Sequence, residues 1–256
     1  MADLLKGKNI VVMGVRNKWS IAWGIARAAY EEGAKLIFTY QGEREKEEVD
    51  DLAASLKGVA TFQCNVCSDE ELDAFFSAVR EKYGVLHGLV HAVAHAKRED
   101  IHNDFIYTSR DGFAHAMDVS AYSLIAVGRR AKELMTEGGS IVTLTYMGSE
   151  KVFPGYNVMG VAKAALEASV RYMANDLGKD GIRVNAISAG AVKTISAKGI
   201  KDFSSILDAT EERAPLKRKV DTDELGDSAL FLLSRLSRGV TGEILHVDCG
   251  YNIMGI

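Results

Sequence analysis

NIVVMGVRNKWSIAWG, residues 9–24, is the stretch that decides the fold. Its first five residues are a short apolar run, which predicts a buried parallel strand. Gly14 then leads through a loop into a helix that begins near Ser20. Free N–H groups and the helix dipole favour an anion at such a helix N-terminus. The stretch therefore predicts dinucleotide binding. Its spacing is not G-x-G-x-x-G, and the alternative is an ordinary glycine turn with a serine cap.

The rest of the chain repeats the alternation of strand and helix. Further strands are predicted over residues 35–40, 59–64, 86–93, 140–145, 182–187 and 243–247, and helices over 20–32, 43–56, 69–83, 111–136, 156–177 and 225–236. Asp69 is the expected cap of the third helix. This alternation indicates βαβ units. We expect a single Rossmann-type, doubly wound α/β domain over residues 1–256, with helices on both faces of a seven-stranded parallel sheet. Residues 188–203 are irregular, which predicts a mobile functional loop.

Composition and charge exclude several classes of protein. The 256 residues suit one large α/β domain, and a formal net charge of -4 weighs against a nucleic-acid partner. No apolar run approaches the roughly 20 residues that cross a bilayer, and the N-terminus does not resemble a signal peptide. We therefore expect a cytoplasmic protein without a membrane partner. The three cysteines suit a reducing compartment.

Two patterns that resemble metal sites are discounted. Cys64 and Cys67 form a C-x-x-C, but a zinc site needs two further ligands and only one other cysteine remains. His87, His91 and His95 recur every four residues, a spacing that brings ligands together on a helix. They fall on and after a predicted strand, so we expect no metal.

A phenol and an ammonium form the candidate catalytic pair. Tyr156 and Lys163 lie seven residues apart, which on the predicted helix is roughly 700° of rotation, so both side chains leave one face about 10 Å apart. The ammonium stabilises negative charge near the phenol, which donates a hydrogen bond to a substrate oxygen that becomes anionic. Tyr146, ten residues upstream, supplies a second phenol. Tyrosine and lysine often share a helix face by chance, so the neighbouring motifs decide whether this pair is catalytic.

The end of the second predicted strand bears on the cofactor. Folds that bind NAD often place an acid here for the ribose 2′-hydroxyl, whereas an arginine accepts the 2′-phosphate of NADP. This chain has Gln41, which can bond a hydroxyl and carries no charge for a phosphate, and Arg44 follows shortly after. We expect NADH, and Arg44 leaves NADPH open.

Three motifs together resemble one family. They are G-x5-S-x-A-x-G starting at Gly14, Tyr156-x6-Lys163 and the upstream Tyr146. The chain resembles the bacterial enoyl-acyl-carrier-protein reductases, which are divergent short-chain dehydrogenases/reductases. The resemblance covers essentially the whole chain, including residues 36–40, 145–148, 183–190, 196–199 and 242–250. Ordinary short-chain reductases carry Tyr-x3-Lys with an upstream serine, so the longer spacing is specific within the superfamily.

The resemblance implies a reaction and a set of site residues. NAD(P)H reduces the trans-2 double bond of an enoyl thioester on acyl carrier protein during fatty-acid elongation. Tyr156 would hydrogen-bond the thioester oxygen, Tyr146 would line the substrate site, and Ala96 would contact the substrate through its backbone. Lys163 would hold the nicotinamide ribose. The other residues implied to touch the cofactor are Gly14, Ser20, Ile21, Gln41, Asn65, Val66, Val93, Val192, Lys193, Thr194, Ile195 and Ser196. The irregular segment would be the substrate-binding loop, and the family implies a homotetramer.

The chain departs from the family pattern at several positions. Asn65 stands where an acid is usual, and Ala191 stands where proline commonly follows Gly190. Residues 94–97 read AHAK, whereas the family tends to have Ala-Phe-Ala. Two alternatives therefore stay open. One is a dinucleotide-binding sensor or scaffold that lost catalysis, which the intact Tyr146, Tyr156 and Lys163 oppose; the other is a carbonyl-reducing short-chain reductase, which the Tyr-x6-Lys spacing opposes.

Overall fold

In the part of the chain that the structure describes, residues 3–194 and 203–255, seven strands form one sheet in the order β3-β2-β1-β4-β5-β6-β7. The structure is a computed structural model. Every neighbouring pair of strands is parallel. The strands are β1 Asn9–Met13, β2 Lys35–Tyr40, β3 Ala60–Gln63, β4 Gly88–His91, β5 Gly139–Thr145, β6 Ile182–Ala189 and β7 Ile244–Val247. The strand order reverses between β1 and β4, which is the switch point where open α/β sheets bind ligands. The predicted doubly wound sheet is confirmed.

Helices connect the strands and cover both faces of the sheet. They are α1 Ile21–Glu31, α2 Glu43–Ala54, α3 Asp69–Tyr83, α4 Arg98–His102, α5 Arg110–Met117, α6 Ser123–Leu134, α7 Val158–Gly178, α8 Phe203–Arg213 and α9 Thr222–Leu233. Alternate residues of β1 enter two different apolar clusters. Ile10 and Val12 belong to the cluster with α1, α2 and α9, whereas Val11 and Met13 belong to the cluster with α3, α6 and α7. Burial on both faces explains why the strands read as continuous apolar runs.

Several local features differ from the prediction. Ser68 caps α3 in place of Asp69, because its hydroxyl accepts a hydrogen bond from the amide of Glu71 at 3.2 Å. The helix predicted over residues 111–136 is α5 and α6 joined by a π-helical turn at Asp118–Tyr122. The sequence pattern predicts neither α4 nor α8. β6 extends to Ala189, into the segment predicted as a loop. Residues 195–202 of that segment lie outside the described residues, so the mobile loop stays a prediction.

No helix in the described ranges combines the length and apolar character needed to span a bilayer.

Two glycines let α1 and α9 pack closely behind the loop of residues 14–20. A Cβ on Gly24 would lie 2.3 Å from the carbonyl oxygen of Thr222, and a Cβ on Gly226 would lie 2.7 Å from the carbonyl oxygen of Gly24. Both obstacles are backbone atoms that cannot rotate aside. The start of α1 is therefore held in place by a contact that admits no side chain.

Replacing Gly24 with alanine tests this contact. We expect Gly24→Ala to lower the free energy of unfolding by about 1–3 kcal/mol, because overpacking pushes the two helices apart. The matched control is Gly178→Ala in the last turn of α7, where no atom lies within 4 Å of an added Cβ. It should be neutral or stabilising by up to ~1 kcal/mol. Denaturant unfolding, monitored by circular dichroism, measures both variants. Equal unfolding midpoints for the two would contradict the close contact between α1 and α9.

Candidate active site

The residues that sequence analysis assigned to the cofactor follow the carboxyl ends of neighbouring strands. Those ends lie at one edge of a parallel sheet, so the assigned residues gather along that edge. They are Gly14 after β1, Gln41 after β2, Asn65 and Val66 after β3, Val93 after β4, and Val192, Lys193 and Thr194 after β6. Ala96, the predicted substrate contact, also follows β4. Ser20 and Ile21 open α1 at the same edge. Ile195 and Ser196 lie outside the described residues.

The turn from β1 into α1 has the form of a phosphate cradle. Gly14 has a φ of +92°, and a Cβ there would lie 2.1 Å from the carbonyl oxygen of Ala92, so only glycine fits. Ser20 caps α1 by accepting a hydrogen bond from the amide of Trp23 at 3.2 Å, and its hydroxyl donates to the carbonyl of Asn17 at 2.8 Å. The first amides of a helix have no partner within the helix. The cradle thus fits the pyrophosphate of a dinucleotide.

The residues that follow β2 and β3 leave the choice between NADH and NADPH open. Gln41 and Arg44 are both exposed at the start of α2. A guanidinium nitrogen of Arg16 lies 3.6 Å from a carboxylate oxygen of Glu45. The Asn65 side chain accepts a hydrogen bond from a backbone amide two residues later, at 3.1 Å. A neutral glutamine thus lies near arginines that could meet a phosphate.

Two phenol rings meet at the carboxyl end of β5. The centroids of the Tyr146 and Tyr156 rings lie 5.0 Å apart in an edge-to-face arrangement. Tyr156 lies in the turn before α7, so the predicted placement of Tyr156 on one helix face with Lys163 is wrong. Gly155 and Asn157 have φ values of +80° and +43°, which keep the backbone around Tyr156 out of the helix. The turn, and not helical periodicity, positions Tyr156.

Close backbone packing makes room for the Tyr156 ring. A Cβ on Gly148 would lie 2.4 Å from Cδ1 of Tyr156, and a Cβ on Gly160 would lie 2.6 Å from the carbonyl oxygen of Gly148. The segment after β5 therefore lies directly against both the ring and the first turn of α7. Larger side chains at either glycine would displace the phenol.

The electrostatics of the site match the needs of a hydrogen-bond donor. Burial raises the pKa of Tyr156, and the nearby Tyr146 and Glu167 raise it further, so the phenol keeps its proton at neutral pH. Burial likewise raises the pKa of Tyr146. Burial lowers the pKa of Lys163 to about 8, although Glu167 opposes that shift. Lys163 Nζ donates to the carbonyl of Leu144 at 2.8 Å.

Asn157 and Glu167 are site residues that sequence reasoning missed. The Asn157 side-chain amide donates to the carbonyls of Ile101 at 2.9 Å and Asn103 at 2.6 Å, which ties the end of α4 to the turn that carries Tyr156. Asparagine tolerates positive φ better than most residues, and this was the available signal. Glu167 is buried one turn after Lys163 and accepts a hydrogen bond from the Thr145 hydroxyl at 2.6 Å.

A small apolar cluster lies beside the phenols. Its buried members are Ala96, Ala116, Tyr156, Val158 and Met159, and Ile101, Tyr146 and Phe153 pack against them. The cluster places Ala96, the predicted substrate contact, in the same group as both tyrosines. The wall next to the phenols is therefore apolar, as an acyl chain requires.

The regularly spaced histidines have separate partners. The ring of His91 is buried, with Nε2 2.8 Å from the Ser123 hydroxyl and Nδ1 3.0 Å from the Thr143 hydroxyl. Burial lowers the pKa of His91 to about 3, and the charge of nearby Lys163 adds to the shift. His87 Nδ1 instead accepts a hydrogen bond from a backbone amide of β1 at 3.1 Å. The four-residue spacing of the histidines therefore creates no shared site.

Known proteins resemble the chain throughout its length. The family model described as enoyl-(acyl carrier protein) reductase matches residues 14–252. The NADH enoyl-acyl-carrier-protein reductase FabI of Bacillus cereus is 58% identical over 255 residues, which is 99% of this chain and 100% of the relative. The NADPH reductase FabI of Staphylococcus aureus is 51% identical over 250 residues, which is 97% of this chain and 98% of the relative.

The backbone also matches solved structures. A crystal structure of the Bacillus cereus enoyl-acyl carrier protein reductase with NADP+ and indole naphthyridinone has a TM-score of 0.97 at 58% identity, covering 99% of each chain. The Anaplasma phagocytophilum reductase in complex with NAD has a TM-score of 0.96 at 49% identity, covering 99% of this chain and 97% of that one. The family description, the identity and the shared backbone agree with the geometry of the site, and the chain belongs to the enoyl-(acyl carrier protein) reductase family.

Proposed function

We propose that this chain reduces the trans-2 double bond of enoyl-acyl carrier protein to the saturated acyl thioester during fatty-acid elongation, with NADH as the preferred reductant. The observation that carries the proposal is the pair of phenols of Tyr146 and Tyr156 at the end of β5, where the buried Lys163 also donates to the Leu144 carbonyl. Family membership makes the chain an oxidoreductase of fatty-acid biosynthesis. The relatives named above use NADH in one case and NADPH in the other.

The edge of the sheet fits a nicotinamide dinucleotide. A bound reduced nicotinamide supplies the hydride. Gly14, Ser20 and Ile21 would receive the pyrophosphate at the start of α1, because glycine admits close approach and the helix end offers amides. Gln41 would bond the adenosine ribose. The remaining residues assigned to the cofactor are Asn65, Val66, Val93, Lys163, Val192, Lys193 and Thr194, with Ile195 and Ser196 proposed from sequence alone.

Tyr156 and Lys163 would stabilise the charge that forms on the substrate. The Tyr156 phenol would donate a hydrogen bond to the thioester oxygen as that oxygen becomes anionic, an interaction that is strongest in the transition state. The phenol is suited to this role because burial keeps it protonated. The Lys163 ammonium adds positive potential, and its bond to the Leu144 carbonyl orients it. Tyr146 packs edge-on against Tyr156 and would line the same site.

We also propose the domain organisation, the location and the oligomeric state of the protein. Residues 1–256 would form one domain, with residues 188–203 as the substrate loop, and the domain would act in the cytoplasm as a homotetramer. Exposed apolar side chains on and between α5 and α6 support a subunit interface, because large apolar groups on one surface favour association. They are Phe113, Tyr122 and Ile125. Light scattering after size exclusion gives the mass, and a monomer would rule out the tetramer.

A direct assay tests the function. The protein is mixed with NADH or NADPH and an enoyl thioester on carrier protein, and the absorbance of the reduced nicotinamide is followed. We expect oxidation with the enoyl thioester, none with a ketoacyl thioester, and a higher kcat/KM with NADH. Cofactor binding without oxidation would favour the sensor, and oxidation with the ketoacyl thioester alone would favour the carbonyl reductase. A clear NADPH preference would contradict the proposed preference for NADH.

Removing one hydroxyl tests the role of Tyr156 as a hydrogen-bond donor. We expect Tyr156→Phe to lower kcat by on the order of 10²-fold, the cost of losing one donor to a developing oxyanion. Binding of NADH should change little, since the ring remains. Tyr172→Phe is the matched control, because Tyr172 lies on α7 but is 77% exposed. Steady-state kinetics measures both variants, and an unchanged kcat in Tyr156→Phe would contradict the role.

The charge of Lys163 predicts a pH-dependent affinity. Since its pKa is about 8 in the folded protein, the ammonium loses its proton as pH rises through that value. NADH binding should weaken over the same range. We expect Lys163→Ala to raise the Kd for NADH by about tenfold or more, because hydrogen bonds to charged groups contribute roughly 1.5–3 kcal/mol, and to remove the pH dependence.

Fluorescence titration of NADH between neutral and alkaline pH measures these affinities. Lys179→Ala, at the exposed end of α7, is the control and should bind NADH as the wild type does. Equal affinity in Lys163→Ala and the control would refute the proposed contact.

A further inference from the structure

Two histidines from separate segments meet beside the active site. His95 Nδ1 lies 2.7 Å from His115 Nε2, and the ring planes cross at 85° with centroids 5.0 Å apart. His95 follows β4, whereas His115 lies on α5. The proposed reduction assigns a role to neither ring. The pair therefore calls for a separate explanation.

The backbone holds His95 in position for this contact. Its amide donates to the Ser120 hydroxyl at 3.0 Å, and that hydroxyl lies 3.1 Å from the His95 carbonyl, to which it donates. Ser120 is fully buried in the π-helical turn that follows α5. The same turn thus connects the segment that carries His95 with the helix that carries His115. The two rings are held together before any ligand arrives.

The charge state of the pair leaves a lone pair at the contact. Two ring nitrogens at hydrogen-bond distance share one proton, so at least one of them is an acceptor. A neutral imidazole nitrogen is the form that binds a metal. The shared proton lies where a cation could replace it.

We propose that His95 and His115 together bind one divalent transition-metal ion, such as Zn²⁺, Ni²⁺ or Cu²⁺, through Nδ1 and Nε2 respectively. Imidazole suits these metals, whereas Mg²⁺ and Ca²⁺ prefer oxygen ligands. Metal–nitrogen bonds of about 2.0–2.1 Å at a tetrahedral angle put the two nitrogens roughly 3.3 Å apart. The two nitrogens, now 2.7 Å apart, would need to separate by about 0.6 Å, and the rings would need to turn so that both lone pairs point at the ion.

The site would have two protein ligands completed by water. Within residues 3–194 and 203–255, no group of three or more histidine, cysteine, aspartate or glutamate side chains could hold a metal. Affinity should therefore follow the order of imidazole complexes, with Cu²⁺ above Ni²⁺ and Zn²⁺. His95 immediately precedes Ala96 in the chain, and Ala96 belongs to the apolar cluster that contains Tyr156. If the proposed function holds, an occupied site would slow enoyl reduction.

Calorimetric titration of the tag-free, full-length protein tests binding without reference to activity. We expect Ni²⁺ and Zn²⁺ to bind at one ion per chain at this site and Mg²⁺ not to bind. His95→Asn and His115→Asn should each weaken Ni²⁺ binding by about tenfold or more, at least the loss seen when the partner of a metal ligand is removed. His102→Asn removes an exposed histidine outside the pair and should bind as the wild type does.

Three results would overturn the proposal. They are no Ni²⁺ or Zn²⁺ binding, equal binding in the wild type and both pair variants, and loss of binding in Cys67→Ser but not in the pair variants. Cys67 is the relevant control because its thiol is exposed. Two pair variants are used so that misfolding of one, seen by circular dichroism, leaves the other to decide. A failed enoyl reduction assay would leave these binding results untouched.

Discussion

The site depends on the burial of one ammonium group. A buried charge is costly unless polar partners compensate it. Lys163 donates to the Leu144 carbonyl at the end of β5, and Glu167 lies buried one helical turn further along α7. Glu167 in turn accepts from Thr145, the last residue of β5. The two bonds tie β5 to α7, and that connection sets the distance between Tyr146, which leaves β5, and Tyr156, which precedes α7.

Most of the fold was predictable because its signals are local and repeated. Apolar runs ending at turn residues located every strand within two residues at either end. The prediction failed where one side chain decides the geometry. The Ser68 hydroxyl outcompetes Asp69 as the cap of α3 because it reaches the amide of Glu71. The short α4 lacks the length over which periodicity becomes visible.

The site was predictable in its members and less so in its geometry. Motif spacing named both tyrosines and Lys163, but it placed Tyr156 on a helix that begins two residues later. The positive φ of Asn157 is held by hydrogen bonds to carbonyls more than fifty positions away, which no local pattern encodes. The contact between His95 and His115 likewise joins segments that periodicity treats separately. Contacts between residues so far apart in the sequence can be identified only from the folded structure.

The buried ring of His91 has a consequence for the behaviour of the whole protein in acid. Its pKa is about 3 in the folded chain, whereas an ordinary histidine in the unfolded chain binds a proton below about 6.5. Between these values the unfolded state carries the additional proton, so the free energy of unfolding falls as pH falls. The site of this weakness is β4 at the centre of the sheet, beside the switch point. Mild acid therefore acts on the middle of the sheet through His91, and not only on exposed ion pairs.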